Sequence, residues 1–142
     1  MATRTAHARW EGGLKQGAGQ VETGSGQLHS AYSFASRFER SDGTNPEELL
    51  GAAHAGCFAM ALTAMLEQAG YKPEYVDATA EVSIEAENGG FRITGSHLVC
   101  KASVPGIDDD TFRQHAESAK AGCPVSRALS GTEITLDAGL AH

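Results

Sequence analysis

Two thiols carry the chemistry this sequence can offer. Cys57 lies in Leu49-Leu50-Gly51-Ala52-Ala53-His54-Ala55-Gly56-Cys57-Phe58-Ala59-Met60-Ala61-Leu62, the most apolar stretch of the chain. Cys123 opens Cys123-Pro124-Val125-Ser126, where a helix can start. A cysteine reacts as its thiolate, and an apolar setting by itself raises the thiol pKa and silences it. Cys57 therefore needs a cationic partner to become a nucleophile. Arg37, set between aromatic residues in Phe34-Ala35-Ser36-Arg37-Phe38, is the attractive arginine for that part, although its spacing alone fits an ordinary surface strand residue better. A guanidinium held among apolar groups needs an anion in turn, and Glu47 or Glu48 can supply one. Cys123 has a better local setting. With Pro124 at the first helical position, its sulfur meets free backbone N–H groups and the positive end of the helix, which lowers a thiol pKa.

The bland alternatives have weight. Free cysteines are among the most buried residues and are usually inert. His54, one turn before Cys57, fits a hydrogen-bonded core histidine better than a Cys–His dyad or a metal pair. Cys100 reads as a strand residue with no chemistry assigned, and the remaining histidines show no metal-ligand spacing.

Composition narrows the classes. The 142 residues, 41% hydrophobic and 20% charged, suit one globular domain with a sizeable core. A net charge of −7 disfavours nucleic acid or an anionic membrane as partner. The opening Met-Ala-Thr-Arg-Thr-Ala-His lacks the apolar core of a signal peptide, so a cytoplasmic address is expected. Three cysteines cannot make a disulfide framework there and are expected to be reduced at rest. The run from Leu49 to Leu66 is long enough to raise a membrane span, but its Ala/Gly bulk and acidic flanks argue for a buried core helix.

The elements that must position these groups follow from patterning. Alternation over Thr5–Glu11 and again after Gly17 predicts an antiparallel hairpin, and a further strand is expected from Ala31 to Phe38. Asn45, Pro46 and the acidic Glu47 and Glu48 write the start of a central helix that runs to about Gln68 and stops at Gly70. Gly51 and Gly56 inside it each cost about 1 kcal/mol relative to Ala, which predicts close packing or a bend. Strands over Val76–Glu87 and Phe91–Val104 flank the turn Asn88-Gly89-Gly90. A second helix spans Asp108–Ala121, a short one Pro124–Leu129, and a last strand Thr132–Asp137. The fold class is α+β, in one domain.

With these features in place, Asn45–Phe58 and Ala119–Ser126 closely resemble the two cysteine motifs of the OsmC/Ohr family. His54, the Trp10-Glu11-Gly12 start and the Val104-Pro105-Gly106-Ile107-Asp108 turn point to its OsmC branch, and the resemblance covers nearly the whole chain. It implies an OsmC-like fold over residues 1–142: antiparallel sheets packed around two main helices, the central one buried, in an intertwined homodimer with active sites at the subunit interface. It also implies thiol-dependent reduction of hydroperoxides, organic ones preferred over hydrogen peroxide. By motif, Cys57 is then the peroxidatic cysteine and Cys123 the resolving one. Arg37 holds the thiolate, and Glu47 positions Arg37.

The implied chemistry is self-consistent. Attack by Cys57 on the distal peroxide oxygen releases an alcohol or water and leaves a sulfenic acid. Cys123 condenses with it to a disulfide that an external dithiol reopens. No metal, haem or flavin is required. Phe58, Met60 and their neighbours are expected to line the pocket and favour an alkyl tail. Ten helical residues place Glu47 about 15 Å from Cys57, so Glu47 acts through the Arg37 side chain or across a bend. The competing readings are a non-enzymatic thiol redox sensor and a binding protein for an apolar ligand.

Overall fold

A computed structural model describes residues 1–141, which fall into two compact units, Met1–Leu49 and a second beginning at Leu50. In the first unit, strands β1 (Ala6–Glu11), β2 (Ala18–Thr23) and β3 (His29–Tyr32) form an antiparallel sheet in that order. Gly19 pairs with both Trp10 and Tyr32, whose rings meet edge-on at 5.3 Å. A Cβ at Gly19 would drive into both rings, so only glycine fits there.

The strand expected over Ala31–Phe38 ends at Tyr32, and Phe34–Phe38 is instead a one-turn helix, α1. Its start explains the difference. Ser33 and Ser36 make a reciprocal capping box, each side chain accepting from the other's backbone N–H at 3.0 and 2.8 Å. The Ser36 hydroxyl also donates to the Thr44 carbonyl at 2.7 Å, and Asn45 Nδ2 to the Ser36 carbonyl at 3.1 Å. These bonds tie α1 to the start of the long helix α2 (Pro46–Gln68). As its sequence prescribes, Asn45 caps α2 by accepting from the Glu48 amide at 2.9 Å.

The second unit holds most of α2, then β4 (Tyr75–Glu87), β5 (Gly90–Ser103), α3 (Asp109–Gly122), α4 (Pro124–Ala128) and β6 (Glu133–Leu140). Positive φ at Asn88 (46°) and Gly89 (81°) gives β4 and β5 a tight two-residue hairpin turn. The expectation of purely antiparallel sheets is corrected here. β6 pairs parallel to β5, from Gly95 opposite Glu133 to Ala102 opposite Leu140, because α3 and α4 carry the chain back across the sheet. Alternation of apolar residues marks a strand without giving its direction.

The core forms between α2, β5 and α3. Phe58, Leu62 and Leu66 recur at one-turn spacing on α2, Leu98, Cys100 and Ala102 alternate on β5, and Phe112, Ala116 and Ala119 line one face of α3. Complete burial of a Phe or Leu side chain contributes about 1.5–3 kcal/mol. Two expectations for α2 need correcting. The helix buries one stripe and not its whole circumference: Ala53, Gly56, Met60 and Ala64 are exposed, Met60 at 77%. Phe58 is fully buried in the core, so it anchors the helix and cannot line an open pocket. Its length and apolarity would suffice to cross a membrane. The buried stripe instead makes α2 the core helix of this unit.

Candidate active site

The first unit presents one half of the expected chemistry. Capping of α1 by Ser33 and of α2 by Asn45 fixes the two helix starts that carry Arg37 and Glu47. Arg37 Nε donates to Glu47 Oε1 at 2.8 Å and to Oε2 at 3.3 Å. Glu47 is only 6% exposed, so its carboxylate requires this partner. The guanidinium carbon lies 5.2 Å from the centre of the Phe38 ring, which itself packs on Phe34. Glu48 does not share the ion pair. It accepts from the Thr44 hydroxyl at 2.7 Å.

The second unit presents the thiols. Cys57 sits half-buried on α2, while Cys123 is completely buried between α3 and α4. Cys123 closes one helix and opens the next. Its N–H bonds the Ala119 carbonyl at 3.0 Å, and its sulfur accepts from the Ser126 amide at 3.3 Å as the cap of α4. The thiols of Cys57 and Cys123 lie close enough to shift each other's ionisation, and both are free. Cys100 is buried in the core, where desolvation and the Asp77 carboxylate push its thiol up to about 11 and keep it inert.

Electrostatics within this unit favour thiolate on Cys123. Burial raises its thiol, but hydrogen bonds from the Ser126 hydroxyl and amide, the Cys57 thiol and the Val125 amide outweigh that and hold it below the ordinary value. Cys57 is pushed the other way. Burial acts most strongly, the Val125 amide opposes it, and the hydrogen bond and charge of Cys123 add to the rise. Two such close thiols titrate as a pair. A Cys57 thiolate thus requires a cation beyond these groups, as the sequence argument anticipated.

His54 is the feature that spacing alone left open. Fully buried, it is bracketed by Ser96 Oγ at Nδ1 and Ser126 Oγ at Nε2, both at 2.7 Å. Burial lowers its pKa and keeps the ring neutral. Ser96 escaped the sequence reading. The signal was there, because it continues the inward row Leu98, Cys100, Ala102 of β5 with a hydroxyl where an apolar side chain is expected.

Comparison with known proteins places these groups in context. The profile of the OsmC-like protein family matches residues 39–137, which include Glu47 and both thiols. The chain is 52% identical to peroxiredoxin OsmC of Escherichia coli over 135 residues, 94% of each chain. It is 36% identical over 97 residues to an organic hydroperoxide resistance protein of Xanthomonas axonopodis, covering 67% of this chain and 66% of that one. Among solved structures, the organic hydroperoxide resistance protein OhrB of Bacillus subtilis superposes with a TM-score of 0.75 at 26% identity, over 95% of this chain and 98% of that one.

Proposed function

Since the chain belongs to the OsmC-like protein family, we propose that it is a thiol-dependent peroxidase that reduces organic hydroperoxides, and hydrogen peroxide more weakly. The observation that carries this reading is the pairing of two free, electrostatically coupled thiols, Cys57 partly open to solvent and Cys123 sealed in the core. Cys57 is the peroxidatic cysteine. Its thiolate attacks the distal peroxide oxygen, the O–O bond breaks, and the alkoxide leaves as alcohol after taking a proton. Cys123 then attacks the sulfenic sulfur, the S–O bond breaks, and water leaves from a Cys57–Cys123 disulfide. An external dithiol reduces that disulfide through the accessible Cys57 sulfur, with Cys123 departing as thiolate.

Arg37 supplies the cation that Cys57 lacks, and Glu47 orients it. The resemblance to the family supports these roles, together with the short ion pair between the two residues. In this reading residues 1–142 make up one soluble, cytoplasmic OsmC-like domain that works as a homodimer. The apolar face of α2 left exposed at Ala53, Met60 and Ala64 supports a partner copy there. Stoichiometry separates the peroxidase from a redox sensor. With dithiothreitol present, many equivalents of cumene hydroperoxide per subunit should be consumed. Consumption that stops near one equivalent identifies a sensor, and none at all leaves a ligand-binding protein.

A further inference from the structure

Ser96, His54 and Ser126 form a hydrogen-bonded row from β5 to the start of α4, where the Ser126 amide bonds Cys123 Sγ at 3.3 Å and its hydroxyl sits beside the paired thiols of Cys123 and Cys57. Only the thiols take part in the reaction above. The chemistry of the sulfur fixes the direction of the row. A Cys123 thiolate can only accept, so the Ser126 hydroxyl must donate to it. Ser126 Oγ, its one proton committed, then accepts from His54 Nε2–H. The neutral ring has its other nitrogen, Nδ1, left as an acceptor, and Ser96 O–H donates there. The opposite tautomer turns the Ser126 proton toward His54 and away from the sulfur.

We propose that His54 is a positioning residue for the resolving cysteine: as its Nε2–H tautomer, with Nδ1 bonded to Ser96, it aims the Ser126 hydroxyl proton at Cys123 Sγ. The consequence falls on two steps of the cycle. In resolution, the Cys123 thiolate attacks the Cys57 sulfenic sulfur, the S–O bond breaks, and the departing hydroxide takes up a proton to become water. One electron pair passes to the oxygen, and both sulfurs end in the disulfide. In the reductive step the incoming dithiol bonds Cys57, the S–S bond breaks, and the electron pair leaves on Cys123, again facing the Ser126 proton. The titratable groups facing Cys123 are the Cys57 thiol and, behind Ser126, the His54 ring, both from α2. From α4 it meets the Ser126 hydroxyl and the Ser126 and Val125 amides. The proposal rests on Cys123 being the resolving thiol, but its test uses no peroxide.

The experiment follows the ultraviolet absorbance of the thiolate against pH in a Cys57→Ser background. Cys100, pushed up to about 11, stays clear of the range in which the lowered Cys123 thiol is followed. Ser126→Ala and His54→Leu should each raise the Cys123 midpoint by about one pH unit. His54→Gln, which keeps a donor toward Ser126, should stay near the parent. His54→Leu added to Ser126→Ala should shift it no further, because the histidine acts only through that hydroxyl. Ser96→Ala disturbs the core less, touches neither thiol, and should also raise the midpoint, because the ring loses the partner that fixes its orientation. A midpoint unmoved by Ser126→Ala and Ser96→Ala overturns the proposal. So does a His54→Leu shift that persists in full without the Ser126 hydroxyl. Either failure leaves the peroxidase reading standing, and a protein inactive toward peroxide can still pass.

Discussion

Cys57→Ser should remove turnover of cumene hydroperoxide, with kcat/KM falling by at least about 10³-fold, while the protein stays folded. The substitution is close to isosteric, at a half-buried position whose neighbour Phe58, and not Cys57, fills the core. A serine hydroxyl keeps a donor of similar size beside Cys123. What is lost is the polarisable nucleophile. Serine is not ionised near neutral pH, and no base in contact with position 57 is available to change that: the neutral His54 is engaged with Ser96 and Ser126. Cys123 cannot take over, because it is sealed from solvent. Thermal melting beside the peroxide assay separates loss of chemistry from loss of fold. Full activity in a folded Cys57→Ser protein contradicts the mechanism.

The second large effect concerns Arg37. Arg37→Met should lower kcat/KM near pH 7 by about 10²–10³-fold and make activity climb as pH rises. The sign follows from the thiol. Burial, and then Cys123, raise the Cys57 pKa, so without a cation the thiolate fraction is small at neutral pH and grows toward alkaline pH. With Arg37 acting on the thiolate, the same profile is flat to lower pH. Met retains much of the aliphatic packing beside Phe38 but leaves the buried Glu47 carboxylate without its 2.8 Å partner. Stability therefore falls too. Removing one member of a fully buried pair costs about 3–5 kcal/mol. Arg37 keeps 35% of its side chain exposed, so the loss here lies below that range. A pH–rate profile parallel to that of the unmodified protein would show that Arg37 serves the fold alone.

Much of this arrangement is legible in the sequence, and the exceptions have physical causes. The start of α2 at Asn45-Pro46-Glu47, its stop at Gly70 and the Asn88-Gly89 hairpin follow from local chemistry, which needs no tertiary context. Cys123 at a helix start was readable for the same reason. The stretch Phe34–Phe38 misled because aromatic residues favour strands, whereas a two-serine capping box decides in favour of a helical turn. Its reading as a strand still left Arg37 near Glu47, since only ten residues separate them. β6 pairs in parallel because of the crossover through α3 and α4, a property of the chain path that periodicity cannot carry. Phe58 was misplaced because adjacent helical residues point about 100° apart, so the neighbour of an accessible sulfur can be core. The partners of His54 lie 42 and 72 residues away, and no local pattern brings them together.

The central claim is that the two thiols form one redox couple. Treatment of the reduced protein with one equivalent of cumene hydroperoxide, followed by alkylation, digestion without reductant and mass spectrometry, tests it most directly. The account predicts a single disulfide-linked peptide pair joining Cys57 to Cys123, with Cys100 alkylated only after unfolding. A Cys57 that ends as sulfinic acid while Cys123 remains a free thiol, or a disulfide that includes Cys100, would contradict it.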